Sequence, residues 1–326
     1  PNLVFFVAED WYFCGHWMNF AIAAKEAGYE VYVITRTREH GERIRSAGLN
    51  LSPIELSREG FIPRQEWRLL RRLISIYRRL RPALAHHVAM KPIAYGTVAA
   101  RLSRVDGVVN AVAGLGYVFS NNDLKARLLR PLIRSVFTLL DLIAPCRFVF
   151  QNPDDARRMF TTAEHSRRVS VIKGVGVDLQ RFRPTPFPKG IPVVTLAARL
   201  IWEKGLREFT QAARILMHKG IRARLVIVGE PDDGNPGAVP RGQLAKWTEE
   251  GIVEWWGHRD DMPEVYASCH IFCLPTNYGE GLPTVLLEAA ACGRPLVATD
   301  APGCREIVMD GENGFLVPLH DPSALA

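Results

Sequence analysis

The sequence of 326 residues has no long apolar run and no paired-cysteine motif. Its apolar runs, such as residues 3–8, are far shorter than the roughly 20 residues that a membrane-spanning helix needs. The six cysteines are scattered without a CxxC pair, which argues against a zinc site or a disulfide framework. Free thiols in a reducing cytoplasm are therefore expected. With 48% hydrophobic and 23% charged residues, the composition predicts a folded chain of two domains.

Two signatures of cofactor sites are incomplete. Gly114-x-Gly116 and Gly174-x-Gly176 lack the third glycine of a dinucleotide-binding loop. The Asp pairs at 154–155, 232–233 and 260–261 are adjacent, unlike the spaced carboxylates of a metal-binding motif. We expect these aspartates to cap helices or to face solvent, and we infer neither a metal nor a bound cofactor.

Charge is divided unevenly along the chain. Residues 1–187 contain 28 Lys and Arg against 16 Asp and Glu, whereas residues 188–326 contain 13 against 18. Much of the excess positive charge lies on two predicted helices, 64–80 and 124–142. Their basic residues are Arg64, Arg68, Arg71, Arg72, Arg78, Arg79, Lys125, Arg127, Arg130 and Arg134, and Arg81 directly follows the first helix. These helices are either ordinary amphipathic helices or a docking face for an anionic membrane. No nucleic-acid-binding motif accompanies the charge, so no nucleic-acid partner is expected.

Apolar strands alternate with amphipathic helices in both halves of the chain. The predicted helices of the first half include 16–27 and 154–161. This pattern predicts an α/β fold with parallel sheets covered by helices on both faces. It is interrupted by a Gly- and Pro-rich stretch, so we predict two Rossmann-like doubly wound domains, 1–175 and 191–326, facing across a cleft, with a linker at 176–190. Ligands of such sheets bind beyond the carboxyl ends of the strands. At the C-terminus, Asp321-Pro322-Ser323 predicts a helix that continues past the last residue.

The first candidate site follows a predicted strand, where residues 197–205 read AARLIWEKG. Arg199 and Lys204 fall on this strand-to-helix loop. A guanidinium offers a planar fork of donors and an ammonium is a compact charge, a combination that suits two neighbouring phosphates. A solvated surface pair is the alternative.

The second candidate site is the segment 280–288, which reads EGLPTVLLE. Pro283 is the predicted first residue of a helix, whose N–H groups, with Gly281, favour an anion. Two glutamates beside an anion are electrostatically unfavourable. We therefore expect Glu280 and Glu288 to accept hydrogen bonds from hydroxyls, such as those of a ribose and a sugar. For Glu288 alone, an ordinary helix glutamate is the alternative.

Taken together, Arg199, Lys204 and the Glu280-x7-Glu288 motif resemble the family-4 retaining glycosyltransferases of the GT-B fold. The segments 175–182 (VGVDLQRF), 302–308 (PGCREIV) and 310–314 (DGENG) resemble other parts of that family, so the resemblance covers essentially the whole chain. The segments 8–13, 85–92, 114–119 and 254–258 are similar to bacterial enzymes that extend undecaprenyl-diphosphate-linked sugars, including N-acetylgalactosaminyl transferases.

The resemblance implies a role for each candidate residue. Arg199 and Lys204 would hold the donor diphosphate, Glu288 the ribose hydroxyls and Glu280 the donor sugar. The phosphate and sugar site would be lined by backbone groups beside Gly281, namely those of Leu282, Pro283, Thr284 and Val285. A turn with His258 and Arg259 would hold the base through main-chain contacts. Gly15 and His16 complete the candidate binding residues, with His16 at the start of a helix on the acceptor side.

One motif departs from the family. Many relatives carry His-x-His after the fourth strand, and the second histidine approaches the donor sugar. This chain has His86-His87-Val88 instead. Either His86 or His87 could take that catalytic position. A packed or solvated imidazole is the alternative for both, and for His16.

The sequence therefore predicts a cytoplasmic, metal-independent retaining glycosyltransferase, peripheral on the inner face of the membrane. It would move a hexose or N-acetylhexosamine from a nucleotide-sugar donor, UDP-linked in our interpretation, to a lipid-diphosphate-linked sugar of a surface glycan or glycoprotein. No residue is identified as a covalent nucleophile, so the family's same-face attack is the implied mechanism. The alternatives are a sugar-nucleotide epimerase of the same fold and a basic membrane-binding module without catalysis.

Overall fold

The computed structural model describes residues 1–56, 62–120, 124–144, 146–160 and 168–326. These residues form two compact units, Pro1–Val175 and Gly176–Ala326. Each unit contains one parallel β-sheet with an apolar core on either face. The prediction of two Rossmann-like doubly wound units is confirmed.

The first unit is built on a parallel sheet that has seven strands among the described residues. Its strands are β1 Asn2–Glu9, β2 Glu30–Arg36, β3 Asn50–Pro53, β4 Leu84–Val88, β5 Gly107–Val112, β6 Cys146–Phe150 and β7 Val169–Val171. Its helices are α1 Asp10–His16, α2 Met18–Glu26, α3 Gly41–Ser46, α4 Pro63–Leu80, α5 Met90–Leu102, α6 Gly116–Ser120, α7 Leu124–Ile143 and α8 Pro153–Met159. The strand order is β3-β2-β1-β4-β5-β6-β7, so the winding reverses between β1 and β4.

Alternation along β1 explains how this sheet is covered on both faces. Phe6 points into the core that contains Leu73 of α4 and Phe137 of α7. Phe5 points into the opposite core, which contains Phe13 of α1. Because successive side chains of a strand point to opposite faces, an unbroken apolar run fills both cores at once.

The second unit repeats this arrangement with a sheet of six strands within its described residues. Its strands are β8 Val193–Ala197, β9 Arg224–Val228, β10 Glu254–Trp255, β11 Ile271–Leu274, β12 Leu296–Thr299 and β13 Gly314–Val317. Its helices are α9 Leu206–His218, α10 Arg241–Glu249, α11 Met262–Ala267, α12 Thr284–Ala291, α13 Pro302–Arg305 and α14 Pro322–Leu325. The strand order is β10-β9-β8-β11-β12-β13, so the winding reverses between β8 and β11. Loops that diverge at such a reversal leave a crevice for ligands.

The segment 176–190, which we predicted as a linker, packs on the second unit. Phe182 is buried in one core of that unit. Arg294 donates a hydrogen bond of 2.5 Å to the carbonyl oxygen of Thr185. The ring of Phe187 stacks on His270, with centroids 6.3 Å apart. The segment is therefore an ordered part of the second unit.

The first helices begin and end at other residues than predicted. We predicted one helix from 16 to 27, but α1 begins at Asp10, directly after β1, and ends at His16. Trp17, with φ of −118° and ψ of −9°, separates α1 from α2. The prediction that His16 starts a helix is therefore wrong. In the predicted helix 154–161, Thr161 lies outside the described residues.

The two long basic helices, α4 and α7, present different surfaces. The apolar side chains Leu69, Leu73, Ile76 and Tyr77 of α4 are buried in the core, whereas its arginines are exposed. In α7, several leucines are exposed instead. The side chain of Lys125 lies outside the described ones. Across the described ranges, no helix combines the length and the apolar character that crossing a bilayer requires.

Candidate functional site

The loop after β8 carries Arg199 and Lys204 and lies against the loop after β11. Gly205 makes this approach possible, since its φ is 81° and a Cβ there would lie 1.9 Å from the carbonyl oxygen of Pro275. Only glycine tolerates both the left-handed backbone and the contact. The two loops therefore meet where the winding of the sheet reverses.

An ion pair between Lys204 and Glu280 connects these two loops. Both side chains are shielded, at 13% and 11% exposure. Glu280 Oε1 also accepts a hydrogen bond of 3.0 Å from the hydroxyl of Thr276. Lys204 Nζ lies 5.3 Å from the ring centroid of Tyr278, within the range of a cation–π contact. The structure thus brings together two of the predicted residues from distant parts of the chain.

The side chain of Arg199 is held by the loop after β9, which is the neighbour of β8 on the side opposite to β11. Its Nη1 donates a hydrogen bond of 2.7 Å to Asp232 Oδ2, in the loop after β9. Burial raises the pKa of Tyr278, and the charge of the neighbouring Arg199 opposes that increase. We had expected Asp232 to cap a helix or face solvent, and that prediction is wrong because its side chain is largely buried against Arg199.

Glu288 lies on α12 with a buried phenol as its partner. Its Oε2 accepts a hydrogen bond of 2.8 Å from the hydroxyl of Tyr266. Burial raises the pKa of Glu288, and the charge of Arg181 opposes that increase. Arg181 belongs to the segment 176–190 and was not among our candidates. Glu288 is therefore a half-buried carboxylate with defined neighbours.

The chain between the two glutamates is fixed by close packing. A Cβ on Gly303, at the start of α13, would lie 2.7 Å from the carbonyl oxygen of Gly281 and 2.8 Å from that of Glu280. Leu282 and Pro283 are buried, and the next two residues are half-buried. Pro283 is the N-cap of α12 and not its first helical residue. The backbone groups that we predicted to line the site therefore lie directly before α12 and in its first turn.

His258 and Arg259 follow β10 at the same edge of the sheet. The carbonyl oxygen of Gly257 accepts a hydrogen bond of 2.7 Å from the N–H of Gly229, which joins their turn to the loop after β9. The Arg259 side chain donates a hydrogen bond of 2.7 Å to Asp261. Four loops, after β10, β9, β8 and β11, therefore line one continuous edge of the second unit.

His86 and His87 lie inside β4 and not after it. His87 is fully buried, with Nε2 3.0 Å from the Tyr77 hydroxyl and Nδ1 2.8 Å from Asn110 Oδ1. The His86 ring packs 4.9 Å from that of Trp17. Burial lowers the pKa of His86 to about 3 and that of His87 to about 4, so both rings are neutral. The structure supports packed imidazoles, which replaces our interpretation of either ring as a catalytic contact to the sugar.

Gly15 and His16 lie in the first unit, at the end of α1. No atom lies within 4 Å of a Cβ built on Gly15. The His16 ring stacks on Tyr12 with centroids 4.3 Å apart. The surface at Gly15 is therefore open, and a binding role for these two residues stays a prediction.

The six cysteines are unpaired and buried, as predicted for free thiols. Burial raises the pKa of Cys14, Cys146 and Cys269 to about 11. Over the part of the chain that the structure describes, no group of three or more His, Cys, Asp or Glu side chains is placed to hold a metal ion.

Family models match both units of the chain. Residues 191–326 match "Glycosyl transferases group 1", and residues 2–146 match "Glycosyl transferase 4-like". The chain is 31% identical over 306 residues to the N,N'-diacetylbacillosaminyl-diphospho-undecaprenol alpha-1,3-N-acetylgalactosaminyltransferase of Campylobacter jejuni, covering 90% of this chain and 79% of that protein. It is 33% identical over 178 residues to a phosphatidyl-myo-inositol mannosyltransferase of Mycobacterium leprae, covering 53% and 46%.

Solved structures share the fold over the full length of the chain. Anabaena Alr3699/HepE in complex with UDP has a TM-score of 0.77 at 17% identity, covering 100% of this chain and 88% of that one. Sucrose-phosphate synthase from Thermosynechococcus elongatus has a TM-score of 0.77 at 18% identity, with the same coverage of 100% and 88%. The predicted GT-B fold class is confirmed. The family matches favour a transferase over an epimerase or a module without catalysis.

Proposed function

This chain belongs to the group 1, GT4-like glycosyltransferases, and we propose that it moves a hexose or N-acetylhexosamine from a UDP-linked donor to a lipid-diphosphate-linked sugar. The observation that carries the proposal is the ion pair between Lys204 and Glu280 where the winding of the second sheet reverses, with Arg199 on the same loop as Lys204. The Campylobacter relative, whose name specifies a diphospho-undecaprenol acceptor, supports the acceptor class.

Arg199 and Lys204 are our candidates for holding the donor diphosphate. Each cation is held by a carboxylate, Asp232 in one case and Glu280 in the other. Negative charge builds on the diphosphate as the bond to the sugar breaks, and cations that are already in place stabilise that charge. Since two protein cations supply this stabilisation, the proposed reaction needs no divalent metal.

The two glutamates take different parts of the donor in this proposal. Oε2 of Glu288 is engaged by Tyr266, so Oε1 is the oxygen that we assign to a ribose hydroxyl. Glu280 is paired with Lys204, which an arriving diphosphate would attract. Donor binding would therefore loosen that pair and free Glu280 to accept a hydrogen bond from a sugar hydroxyl.

The remaining parts of the donor fit the neighbouring loops. We assign the base to main-chain groups of the turn 256–259, at the strand beyond β9. The first turn of α12, next to Leu282 and Pro283, adds the positive end of a helix dipole for the phosphates. A donor would then extend along one sheet edge, from the turn after β10 to the loop after β11.

We propose transfer with retention through attack on the face from which the diphosphate leaves. The acceptor hydroxyl forms a new bond to the anomeric carbon as the bond from that carbon to the diphosphate oxygen breaks. The proton of the hydroxyl passes to the departing phosphate oxygen, so UDP leaves and the atoms balance. This mechanism needs no covalent nucleophile from the protein.

We further propose that the enzyme works at the cytoplasmic face of the membrane, which the first unit meets. The first unit contains 26 Lys and Arg against 15 Asp and Glu. The arginines of α4 are exposed, and Trp67 beside them is 61% exposed. Exposed cations attract an anionic lipid surface, with a contribution of about 1 kcal/mol for each residue engaged.

The proposal is tested by a screen of UDP- and GDP-linked sugars with thermal shift, followed by mass analysis of the product on a lipid-diphosphate-linked sugar. We expect one UDP-sugar to stabilise the protein and to extend the acceptor by one residue, with and without EDTA. The Arg199→Ala variant is the control. Release of a free sugar without extension of any acceptor would favour an epimerase, and a strict requirement for a divalent cation would contradict the metal-independent mechanism.

A further inference from the structure

The outer face of α7 carries an exposed apolar stripe. Its side chains are between 36% and 73% exposed and are those of Leu124, Leu128, Leu132, Val136, Leu139 and Leu142. They recur every three or four residues, so they lie on one face, about 27 Å long at the rise of an α-helix. We call these residues the α7 stripe. Phe137 and Leu140, on the opposite face, are buried in the core. The helix is thus apolar on two sides, and a helix that only covered a core would have a polar outer side.

A pocket of about 560 Å³ lies at the C-terminal end of the α7 stripe. Leu142 and Ile143 line it together with three arginines, Arg101, Arg104 and Arg168. We call it the arginine pocket. Because Leu142 belongs to both the stripe and the pocket, the apolar surface and the guanidinium groups are continuous.

Two of these guanidinium groups are anchored at the pocket. Arg101 Nε donates a hydrogen bond of 2.8 Å to the carbonyl oxygen of Ile143. Arg168 Nη1 donates one of 2.7 Å to the carbonyl oxygen of Asp141 and lies 3.2 Å from its carboxylate. Each of these hydrogen bonds uses only some of the N–H groups of a planar guanidinium. The bond therefore fixes the position of the guanidinium, and its other N–H groups remain for a ligand.

The charge of the pocket fits a monoanion. Asp106 also lines it, and Asp141 pairs with Arg168, so three guanidinium groups face two carboxylates. Over the described residues, no hydrogen bond or ion pair of the Arg104 side chain is found. One positive charge is therefore in excess, next to an apolar surface.

We propose that the arginine pocket binds the phosphodiester of an anionic membrane phospholipid while the α7 stripe enters the apolar layer beneath the headgroups. This inference rests on the membrane binding in the proposed function, and it identifies α7 as the element that contacts the membrane. A phospholipid joins a monoanionic phosphodiester to acyl chains, and pocket and stripe present the complementary surfaces side by side. A second copy of the first unit would bring an excess of like charge to the same face, which disfavours it as the occupant.

Insertion of α7 can be tested directly because all six native cysteines are buried. Leu132→Cys is labelled with an environment-sensitive dye, and Ile221→Cys, exposed on the second unit, is the matched control. With vesicles of phosphatidylglycerol and phosphatidylcholine, we expect blue-shifted emission and quenching by acyl-chain nitroxides at position 132 only. Water-like emission at 132 from protein that sediments with the vesicles would overturn the proposal. Blue-shifted emission without lipid, together with the mass of a dimer, would assign the face to a second copy.

The pocket is tested by the pair of changes Arg104→Asn and Leu142→Ser. Asparagine suits the φ of 56° at position 104, so the backbone is not strained. The matched control, Arg222→Asn with Ile221→Ser, makes the same loss of charge and of apolar surface on the second unit. We expect vesicle binding to weaken about five-fold or more in the pocket variant and to stay unchanged in the control. UDP binding should be equal in both, which verifies folding.

The remaining outcomes separate this inference from the function on which it rests. If the wild type sediments with vesicles but pocket variant and control bind equally, only this inference fails. If the wild type does not sediment even at low salt, the membrane encounter fails too, whereas transfer to a short water-soluble acceptor still tests the transferase. Millimolar glycerophosphate should not displace the vesicles. Displacement would identify a site for free phosphate and would overturn the role of the bilayer.

Discussion

Arg199 donates a hydrogen bond of 2.7 Å to Asp232 and so joins the loop after β8 to the loop after β9. Lys204 is paired in the same way with Glu280, in the loop after β11. The two cations are thus held from the two opposite neighbours of β8. Their positions are set before a donor arrives, and such preorganisation makes charges effective in a transition state.

Removing either cation should slow transfer without unfolding the protein. For Arg199→Ala and Lys204→Ala we expect a loss of about 2–4 kcal/mol in transition-state stabilisation, or roughly 10²–10³ in kcat/KM. The Arg199 side chain is 36% exposed, so thermal unfolding of Arg199→Ala should change little, whereas Lys204→Ala leaves the shielded Glu280 without its cation and should also lower the unfolding temperature. Arg222→Ala, an exposed arginine of the same unit, serves as the control. Full activity of Arg199→Ala would remove the basis of the proposed donor site.

The two glutamates should give different kinetic signatures. Glu288→Gln keeps its size but loses the charge that strengthens hydrogen bonds from a ribose, so KM for the donor should rise. Glu280→Gln should instead lower kcat, because its proposed contact is with the reacting sugar. Steady-state kinetics and calorimetry of donor binding distinguish the two. Unchanged donor affinity in Glu288→Gln would contradict the ribose assignment.

Gly205 should be needed for the contact between the loops. In Gly205→Ala the new Cβ meets the carbonyl oxygen of Pro275, so we expect the unfolding free energy to fall by about 2 kcal/mol or more and activity to drop as Lys204 shifts. The control is Gly220→Ala, which has a φ of 70° but no atom within 4 Å of its Cβ. It carries only the left-handed penalty of about 1–2 kcal/mol, with activity retained. Equal losses of activity in both variants would show that the contact does not matter.

The exposed arginines of α4 should promote membrane binding through long-range electrostatic attraction. Changing Arg71, Arg72, Arg78 and Arg79 to Glu reverses exposed charges while the apolar residues of α4 stay in the core. Binding to anionic vesicles should drop, and wild-type binding should weaken as salt rises, because exposed charges are screened within about 8–10 Å. Transfer to a short water-soluble acceptor should change much less. Equal losses with both acceptors would argue for a role within the active site.

Local sequence patterns predicted the sheets because buried parallel strands are apolar runs, as in β1. They did not predict that α1 begins at Asp10. The Asp10 carboxylate accepts hydrogen bonds from the backbone N–H groups of Arg38, at 2.6 Å, and of His40, at 3.0 Å. These partners lie 28 and 30 residues away, beyond the reach of any local pattern.

Residues of the candidate site could likewise be predicted only where the sequence pattern is local. Arg199 and Lys204 could be predicted because they share one short loop after a strand. Asp232 and Tyr266 could not, since they contact Arg199 and Glu288 from 33 and 22 residues away. His87 was misinterpreted because its partners, Tyr77 and Asn110, come from other elements. Sequence spacing therefore identified the charged groups but not what holds them in place.

The buried histidines make the first unit sensitive to acid. In the unfolded chain a histidine binds a proton below pH about 6.5, whereas burial keeps the pKa of His86 at about 3 and that of His87 at about 4 in the folded protein. Between these limits the unfolded state binds more protons, so stability rises with pH and is lost as pH falls from about 6.5 towards 4.

His86→Phe should remove one of these two protonation sites. Its surroundings include the rings of Phe5, Trp17 and Phe20, so phenylalanine suits them. We expect the loss of unfolding free energy between pH 7 and pH 4.5 to be smaller in His86→Phe by about 2–3 kcal/mol, because each unit of pKa shift corresponds to about 1.4 kcal/mol. Urea unfolding at a series of pH values measures the slope, with the exposed His218→Phe as the control. If the free energy of unfolding depends on pH equally in His86→Phe and wild type, His86 binds its proton as readily in the folded protein as in the unfolded chain. Its aromatic surroundings would then not exclude water from the ring.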